Sequence, residues 1–387
     1  TPEEKTKGQE VASVAKELLK GNHAFAEAAI RAGVEAFYGY PITPSTEFLE
    51  HMAKRMPKLG RAFVQAESEV AAINMVYGAA CTGKRVMTAS SGPGLSLMME
   101  GISYIAGTEV PAVIVNVMRG GPGLGNIAPS QGDYYQMVKG GGHGDYFPIV
   151  LAPANVQEAI DYISLAFDLA EKYRSVVHVI VDGNMGQMME PAELPPMREL
   201  PEQSPPWAVS GAADRDPNIL TSIYIDPEDE EVTNLRLLKR WKEIEKNEVL
   251  YNEYHMEGAE LAVIGFGTAG RVASSAVRDA REEGIPVGLL RPITLAPFPE
   301  KRLHEIADQV DRILVVEMNS GMMLDDVTRI LQGKVPVEFY GRMGGVTPLP
   351  DEILAEIKRV AQNEGEVTGD PREPWMARLE KKIKGAQ

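Results

Sequence analysis

Residues 39–45 of the chain read GYPITPS and separate a short apolar run from an amphipathic stretch. Pro41 interrupts regular structure there, because proline fixes its own φ and restricts the residue before it. Thr43 and Pro44 predict a helix at 45–56, with threonine as the cap and proline in the first helical position. The free backbone N–H groups of such a helix start are suited to binding an anion.

A companion stretch at residues 64–72 reads VQAESEVAA and leads from a predicted strand into a predicted helix at 67–82. Glu69 lies in that helix among residues that are mostly small or apolar. A carboxylate is costly to bury unless something in its surroundings needs it. From the residues alone, Glu69 is either a carboxylate on the helix surface or a functional acid.

The composition of the 387 residues, with 44% hydrophobic residues and 37 glycines, fits an α/β protein of two or three domains. A formal net charge of −16 argues against nucleic acid and against an anionic membrane as the main partner. The single cysteine, Cys81, rules out an internal disulfide and a cysteine-ligated zinc or iron–sulfur site built by this chain alone. With no leader at its start and no uncharged apolar run of about 20 residues, the chain is expected in the cytoplasm.

Predicted strands and helices alternate from residue 21 onwards, which implies a parallel sheet covered on both faces. Ligands of such sheets bind at the C-terminal ends of the strands. The polar tail of the chain is expected to wrap a neighbour or to stay mobile. The predicted organisation is an N-terminal arm, a first α/β domain, a linker with a connecting helix, a second α/β domain, and a C-terminal helix and tail, at residues 1–20, 21–192, 193–257, 258–350 and 351–387.

Two further stretches resemble a calcium-binding loop and a dinucleotide-binding turn, but the sequence favours a structural role for each. The acids between residues 226 and 231 predict a solvated loop before a helix at 235–254, because they lack the glycine and the terminal glutamate of a calcium loop. Residues 265–270 read GFGTAG after a strand, a pattern typical of dinucleotide binding. The acid expected at the end of the next strand is missing, since that strand leads into Arg291 and Pro292, and a structural glycine turn is therefore predicted.

Several rare motifs occur in an order that resembles the first domain of the 2-oxoacid:ferredoxin oxidoreductases. They are YPITPS at 40–45, ESE at 67–69, SSGPG at 90–94 and RGGPGLG at 119–125. The later part, with RPITLAPFP at 291–299, is similar to the family's second domain and to the C-terminal domain of transketolase-type proteins. The resemblance implies an α/β fold with a thiamine-diphosphate-binding (pyrimidine-type) parallel-sheet domain followed by a transketolase C-terminal-like α/β domain.

The resemblance also implies roles for individual residues. Glu69 matches the family's glutamate that bonds to the aminopyrimidine ring of thiamine diphosphate and helps the cofactor to lose its C2 proton. Arg119 suits the carboxylate of a 2-oxoacid with its planar pair of donors, and Thr43 contacts both substrate and cofactor. These three are the implied catalytic residues. The implied cofactor-binding set comprises Tyr40, Pro41, Ile42, Thr43, Glu69, Ser90, Ser91 and Gly92.

Each role has a structural alternative that the sequence leaves open. Thr43 serves equally well as a plain helix cap, and Arg119 as half of a salt bridge to a neighbouring loop. The corner at 90–94 needs no ligand if it is a simple turn. Glu67 is the weaker candidate for the catalytic acid, because the Ser-Glu-small pattern falls two residues later. A polar stretch at 130–133 is expected to shape the pocket or a subunit contact.

Parts of a complete active site are missing from the chain. The sequence has no Gly-Asp-Gly with a following asparagine, which is the usual magnesium motif for the diphosphate, and no cysteines to relay electrons. The chain therefore resembles the alpha subunit of a split enzyme, which binds the pyrimidine half of thiamine diphosphate and holds no metal. A beta subunit is expected to bring the diphosphate site, Mg2+ and a 4Fe–4S cluster. A gamma subunit and a ferredoxin-like delta subunit complete the implied assembly.

The resemblance implies the coenzyme A-dependent oxidative decarboxylation of a 2-oxoacid to acyl-CoA and CO2, with electrons passed to ferredoxin. QAESEV at 65–70, RGGPGLG at 119–125 and GGGHGDY at 140–146 look most like the branched-chain type, so 3-methyl-2-oxobutanoate is the expected substrate. The 2-oxoglutarate type is the alternative, and it more often has MEDE at the first of these sites. A non-oxidative thiamine enzyme and a non-catalytic assembly subunit are the remaining readings.

Overall fold

The computed structural model describes residues 16–362 and 369–385. Residues 1–15 of the predicted N-terminal arm therefore lie outside the described residues. The end of that arm is a strand, Glu17–Lys20, which pairs antiparallel with Met189–Ala192. This part of the arm is consequently an ordered strand that packs on the first domain.

Strands and helices alternate along most of the chain, as predicted. The strands are β1 Glu17–Lys20, β2 Ala36–Gly39, β3 Ala62–Gln65, β4 Val86–Ser90, β5 Ala112–Met118, β6 Ile149–Leu151, β7 Val176–Asp182, β8 Met189–Ala192, β9 Tyr251–Tyr254, β10 Leu261–Ile264, β11 Val287–Pro292, β12 Thr294–Ala296, β13 Arg312–Glu317 and β14 Val337–Gly341. The helices are α1 Gly21–Arg31, α2 Thr46–Arg55, α3 Glu69–Cys81, α4 Gly92–Gly107, α5 Tyr134–Val138, α6 Val156–Tyr173, α7 Gly183–Gln187, α8 Pro227–Asn247, α9 Gly267–Glu282, α10 Glu300–Ala307, α11 Met322–Leu331, α12 Pro350–Ala361 and α13 Arg372–Gly385. None of the helices in the described ranges is long and apolar enough to span a bilayer.

The larger sheet has seven strands in the order β12-β6-β7-β5-β4-β2-β3. All neighbours from β6 to β3 run parallel, whereas the edge strand β12 is antiparallel to β6. Strand β5 reads AVIVNVM and is buried along its whole length, as expected when helices cover both faces of a parallel sheet. The chain leaves β2 for β3 on one side and returns to β4 on the other side. The switch point at which such sheets bind ligands therefore lies between β2 and β4.

The second sheet has five strands in the order β14-β13-β10-β11-β9, all parallel except the edge strand β9. This second α/β unit confirms the predicted fold class. Strand β9 corrects one prediction, because residues 251–254 pair with β11 instead of ending the connecting helix. Strand β12 follows β11 after a single residue and joins the first sheet, so the two units share a direct connection.

The acidic run does not form the predicted loop. Helix α8 begins at Pro227, and the Asp226 side chain caps it by accepting a hydrogen bond from the Glu228 backbone N–H at 3.2 Å. Proline fits the first helical position, and acids in the first turn are stabilised by the helix dipole. The run therefore starts the connecting helix. On this helix, Arg236 Nε donates to Glu109 at 2.8 Å, which holds α8 against the first domain.

The C-terminal segment packs on the second sheet of its own chain, where a mobile or neighbour-wrapping tail was the expectation. In helix α13, Trp375 is 2% exposed and donates a hydrogen bond from Nε1 to the Gly341 backbone oxygen at 3.0 Å. Its ring meets that of Phe339 edge-on, with the ring centroids 4.8 Å apart. Both partners lie on β14, so α13 is docked against that edge strand.

Candidate active site

The predicted site residues follow neighbouring strands at one edge of the larger sheet. Residues 40–43 come after β2, Ser90 ends β4, and Arg119 directly follows β5. Since β5, β4 and β2 are parallel neighbours, their C-terminal ends meet beside the switch point. Glu69 reaches the same place from the N-terminus of α3, which follows β3.

Glu69 is 6% exposed, whereas the neighbouring Glu67 is exposed to solvent. Helix α3 begins at Glu69, because the Ser68 hydroxyl caps the helix by accepting from the Ala71 backbone N–H at 3.2 Å. The Glu69 carboxylate makes no hydrogen bond to any other residue that the structure describes. A buried carboxylate without a protein partner is costly, and its oxygens are free to accept hydrogen bonds from a ligand.

The turn after β4 brings Ser90 against Glu69. A Cβ on Gly94 would stand 2.2 Å from Ser90 Oγ and 2.7 Å from Glu69 Oε1, so glycine alone leaves room for both side chains. The hydroxyl oxygens of Ser90 and Ser91 are buried without a hydrogen-bond partner in the described part of the chain. Buried hydroxyls are normally satisfied, and a turn that needs no ligand would leave these two unpaired.

Thr43 does not cap α2 as predicted. The helix begins at Thr46, and Ser45 turns back to bond the Ile42 backbone oxygen through its N–H at 2.9 Å and its hydroxyl at 2.8 Å. The Thr43–Pro44 peptide bond is cis. The turn that Ser45 closes spans residues 42–45, so Pro44 lies before the helix and not in its first position. Thr43 is exposed to solvent beside the switch point.

The Arg119 guanidinium lies at the mouth of the site and hydrogen-bonds both the loop after β2 and the loop after β5. Its Nη1 donates to the Thr43 backbone oxygen at 2.9 Å, and its Nη2 donates to the Leu124 backbone oxygen at 3.1 Å. Its Nε is buried and has no hydrogen-bond partner among the described residues. No ion pair of Arg119 with a carboxylate occurs in the described ranges, which argues against the salt-bridge alternative. The terminal nitrogens each keep one N–H for a further acceptor.

Asn116 and Asp133 also lie at the site; Asp133 falls in the polar stretch at 130–133 that is expected to shape the pocket, whereas no motif marks Asn116. Asn116 stands beside Ser90 in the register of β4 and β5, and its Nδ2 donates to Asp133 Oδ2 at 2.9 Å. Burial raises the pKa of Asp133, against the opposing effects of the Asn116 hydrogen bond and of the Arg119 charge. One signal in the sequence is Asn116 itself, because it is the single polar residue in an otherwise apolar, fully buried strand.

The glycine-rich turn at 265–270 binds part of the first domain. Gln131 is fully buried, and its Nε2 donates to the Phe266 backbone oxygen at 2.8 Å. Its Oε1 accepts from the Met318 backbone N–H at 3.0 Å. The C-terminal ends of β10 and β13 therefore hold Gln131 where an α/β sheet would bind a nucleotide, which agrees with the predicted structural turn.

Tyr40, Pro41 and Ile42 form the loop after β2 and stay partly accessible, Tyr40 at 37%. Residues 16–362 and 369–385 contain no group of three or more His, Cys, Asp or Glu side chains placed to hold a metal ion. The groups at the site that have no carboxylate or side-chain amide partner among the described residues are thus the buried Glu69 carboxylate, the hydroxyls of Ser90 and Ser91, and the Arg119 guanidinium at the mouth. They suit a ligand that combines a polar ring edge with an anionic group.

The sheet order, the buried acid at a helix N-terminus and the glycine corner together define an α/β protein with a candidate ligand site at its switch point. A split-gene transketolase, solved as an inactive beta4 tetramer, has a TM-score of 0.54 to this chain at 14% identity, covering 89% of this chain and 98% of that chain. This likeness concerns the fold alone, which is of the transketolase type.

Two family models cover most of the chain. The model described as pyruvate flavodoxin/ferredoxin oxidoreductase, thiamine diP-bdg, matches residues 27–251. The model of pyruvate:ferredoxin oxidoreductase core domain II matches residues 259–353. The chain belongs to the 2-oxoacid:ferredoxin oxidoreductase family, as an alpha subunit with a thiamine diphosphate-binding domain.

Known relatives match this chain over nearly its whole length. Ketoisovalerate oxidoreductase subunit VorB from Methanothermobacter thermautotrophicus is 52% identical over 350 residues, which are 90% of this chain and 99% of the relative. The 2-oxoglutarate synthase subunit KorA from the same organism is 40% identical over 373 residues, covering 89% of this chain and 98% of the relative. A solved 2-oxoglutarate:ferredoxin oxidoreductase from Magnetococcus marinus, with 2-oxoglutarate, coenzyme A and succinyl-CoA bound, has a TM-score of 0.79 at 27% identity over 90% of this chain and 66% of that chain.

Proposed function

We propose that this alpha subunit supplies the pyrimidine half of the thiamine diphosphate site in an enzyme that oxidatively decarboxylates 3-methyl-2-oxobutanoate to its acyl-CoA and CO2, with ferredoxin as electron acceptor. The observation that carries the proposal is the Glu69 carboxylate, which is buried and lacks a hydrogen bond within the described residues. It faces the equally unpartnered hydroxyl of Ser90 across Gly94. Two polar groups of this kind, side by side at a switch point, are what a bound heterocycle would satisfy.

The residues of the half-site fit the aminopyrimidine ring. Thiamine diphosphate, when bound, supplies the carbanion-stabilising chemistry that decarboxylation of a 2-oxoacid needs. Glu69 is the proposed partner of the ring nitrogen, where a buried carboxylate holds or accepts a proton. Ser90, Ser91 and Gly92 are the proposed wall beside the ring, and residues 40–43 are the proposed rim.

Arg119 and Thr43 are the proposed contacts of the substrate carboxylate. The Arg119 guanidinium is partly buried, and its remaining N–H groups suit a planar carboxylate. The loop that follows Arg119 exposes the side chains of Leu124 and Ile127 to solvent, with exposed fractions of 82% and 65%. Apolar side chains near the proposed carboxylate contact, Arg119, favour a 2-oxoacid with a branched apolar side chain. A second carboxylate on the substrate would lack a partner there, and burying a charge without a partner is costly.

The relatives support the same choice of substrate. The identity of 52% to a ketoisovalerate oxidoreductase subunit exceeds the 40% to a 2-oxoglutarate synthase subunit. Both are oxidoreductase-family relatives, and membership in that family argues against a non-oxidative thiamine enzyme. We therefore place 3-methyl-2-oxobutanoate first and 2-oxoglutarate second.

Other chains complete the proposed enzyme. Mg2+ and the diphosphate site are assigned to a beta subunit, because this sequence lacks the Gly-Asp-Gly motif. The 4Fe–4S clusters are assigned to partner subunits, because Cys81 alone cannot ligate one. A gamma subunit and a ferredoxin-like delta subunit are the further proposed partners, coenzyme A is the proposed acyl acceptor, and the cytoplasm is the proposed location.

Paired substitutions in the intact complex test the role of Glu69. Glu69→Gln is expected to lower kcat by more than about 100-fold, the usual cost of losing a proton-transfer group. Glu67→Gln makes the same chemical change at an exposed position two residues earlier and should keep the wild-type rate. Ferredoxin reduction by the 2-oxoacid, with saturating coenzyme A and thiamine diphosphate, gives both rates. Equal rates for the two variants would refute the assignment.

A substrate panel on the wild-type complex tests the second half of the proposal. The expected order of kcat/KM places 3-methyl-2-oxobutanoate above pyruvate and 2-oxoglutarate. A preference for 2-oxoglutarate would overturn the substrate assignment and leave the role of Glu69 intact, because Glu69 acts on the cofactor and not on the substrate side chain.

A further inference from the structure

We propose that Asn126 is a positioning residue for Arg119, and that the segment after β14 in the second domain, residues 342–347, fixes the place of Asn126. The inference rests on the proposed function, because it takes the substrate carboxylate as the ligand of Arg119. It deepens that function by giving the second domain a part in substrate binding.

The loop after β5, residues 120–128, provides one of the two oxygens that hold the Arg119 guanidinium. Arg119 Nη2 donates to the Leu124 backbone oxygen at 3.1 Å, and Nη1 donates to the Thr43 backbone oxygen at 2.9 Å. Because the guanidinium is planar, acceptors on two different nitrogens fix its plane. The position of Leu124 therefore determines how Arg119 directs its remaining N–H groups towards a substrate.

Asn126 closes this loop onto its own start. Its backbone N–H donates to the Gly120 backbone oxygen at 3.0 Å, and its Oδ1 accepts from the Ala128 backbone N–H at 2.8 Å. A Cβ on Gly120 would stand 2.8 Å from Asn126 Oδ1, so glycine at 120 makes room for the asparagine side chain. Leu124 lies between the two residues that this closure joins, so the closure holds its backbone oxygen in place.

The second domain contacts the loop at the same asparagine. Asn126 Nδ2 donates to the Gly344 backbone oxygen at 2.8 Å. The next residue, Gly345, packs directly on the loop, because a Cβ there would stand 2.5 Å from Ala128 Cβ and 2.8 Å from Asn126 Oδ1. The two ends of the Asn126 amide thus bond different domains, the oxygen its own loop and the nitrogen the segment 342–347.

Both ends of the segment 342–347 are anchored. Arg342 donates from its backbone N–H to the Glu317 backbone oxygen at 3.2 Å and from Nη1 to Glu352 at 2.8 Å. At the other end, the Thr347 hydroxyl accepts from Asn184 Nδ2 at 3.0 Å, and Asn184 lies on α7 of the first domain. A segment held in this way gives the Gly344 oxygen a fixed position, so its bond to Asn126 positions the loop.

The test is a kinetic comparison in the intact complex. Asn126→Ala is expected to raise KM for 3-methyl-2-oxobutanoate about tenfold, the effect of losing one ordinary hydrogen bond, while kcat stays near that of wild type. The affinity for thiamine diphosphate should not change, because Glu69 and Ser90 lie outside the loop. In the Arg119→Met background, Asn126→Ala should raise KM no further, because the arginine through which it acts is gone.

Asn218→Ala is the matched control for the loss of an asparagine amide. Asn218 Nδ2 also donates to backbone oxygens in a loop, those of Pro206 and Ala208 at 2.6 and 2.9 Å, but it lies in the linker. This variant should keep the wild-type KM.

Gly345→Ala tests the same contact from the second domain and leaves Asn126 unchanged. The added methyl group must displace Ala128 or Asn126, so KM should rise as in Asn126→Ala. Gly284→Ala controls for backbone strain, since Gly284 has a φ of +86° against +96° at Gly345 and no atom of the described residues lies within 4 Å of its added Cβ. It should keep the wild-type KM.

Hydrogen exchange in the complex gives a readout that does not depend on turnover. The amides of residues 120–128 should exchange faster in Asn126→Ala and in Gly345→Ala than in wild type. Additive effects of Asn126→Ala and Arg119→Met on KM, an unchanged KM in both loop variants, or unchanged exchange of residues 120–128 would overturn the inference. Failure of the proposed function gives a different result, since Arg119→Met alone would then leave KM for the 2-oxoacid unchanged.

Discussion

Gln131 Nε2 lies 2.8 Å from the Phe266 backbone oxygen, and this hydrogen bond joins a loop of the first domain to the glycine turn of the second. In dinucleotide-binding proteins, such a turn receives a pyrophosphate. Here Gly267 has a φ of +50°, and a Cβ on it would stand 3.1 Å from Gln131 Nε2. Glycine at this position therefore serves the close approach of a glutamine, and the motif works as a domain contact.

Gln131→Met should lower the free energy of unfolding by about 2 kcal/mol or more. Methionine keeps the volume of the side chain but leaves the Phe266 oxygen and the Met318 N–H buried without partners, at about 1–3 kcal/mol each. The thermal unfolding midpoint of the complex reports the change. Gln136→Met is the matched control, since Gln136 is only partly buried and bonds Ser96 at the surface, and it should stay within about 0.5 kcal/mol of wild type. Equal midpoints for both variants would contradict the anchor role.

Gly94→Ala should abolish thiamine diphosphate binding while the chain still folds. The new methyl group would lie 2.2 Å from Ser90 Oγ and 2.7 Å from Glu69 Oε1, so at least one of the two must leave its place. Calorimetric titration of the complex with the cofactor measures the loss. Gly78→Ala, where nothing lies within 4 Å of the new Cβ, is the control and should stabilise α3 by about 1 kcal/mol without affecting the cofactor. Normal cofactor binding by Gly94→Ala would remove Glu69 from the half-site.

The buried side chain of His178 should make the stability of the protein depend on pH. It is fully buried on β7, and neither ring nitrogen has a hydrogen-bond partner within the described ranges. Burial lowers the pKa of His178 from 6.5 to about 4. The unfolded chain therefore binds the proton more tightly than the folded one, and stability falls as the pH drops from 6.5 towards 4. The expected contribution at pH 5 is a loss of about 2 kcal/mol.

His178→Leu should remove this contribution, because leucine fills the site and has no proton to bind. Urea unfolding at pH 8 and pH 5 measures the two stabilities, and the difference between them should shrink by about 2 kcal/mol in the variant. His304→Leu changes an exposed histidine on α10 and should leave the difference as it is in wild type. A variant as acid-sensitive as wild type would show that other groups cause the pH dependence.

Trp375→Ala should release α13 from the second sheet. The substitution removes the edge-on contact with Phe339 and the hydrogen bond to Gly341, and large aromatic-to-alanine changes in a core cost about 3–5 kcal/mol. Hydrogen exchange should rise in residues 372–385 before it rises elsewhere. Met376→Ala alters a neighbour that is 46% exposed and should keep the protection of wild type. Uniform loss of protection in Trp375→Ala would mean that α13 does not unfold as a separate unit.

Much of the site could be predicted because turn chemistry marks the ends of strands. The prolines and glycines of residues 39–45 and 90–94 interrupt the chain just where two parallel strands finish, and parallel strands finish at one edge. The start of α8 could also have been found, since Asp226 before Pro227 is a recognisable helix start. The prediction of a loop was wrong because clustered acids are typical of solvated loops. Here the acids lie in the first turn of a helix, where the helix dipole stabilises negative charge.

The link between Asn116 and Asp133 could not be predicted, because it depends on how the loop after Arg119 closes. The same is true of the turn that places Thr43 before the helix, in which Ser45 donates both its N–H and its hydroxyl to the Ile42 oxygen. Both outcomes depend on hydrogen bonds that the conformational preferences of the individual residues do not determine.

The sequence by itself determined the α/β class, most of the order of the elements and the residue types at the strand ends of the candidate site, because backbone preferences and turn chemistry act over a few neighbouring residues. Only the tertiary structure decided that Glu69 is buried while Glu67 is exposed, and that Gln131 fills the turn at 265–270. Burial and hydrogen-bond partners come from segments that are distant in the chain: Glu69 is buried only when α3 packs beside the turn after β4, and Gln131 gains its partners only when the two sheets meet.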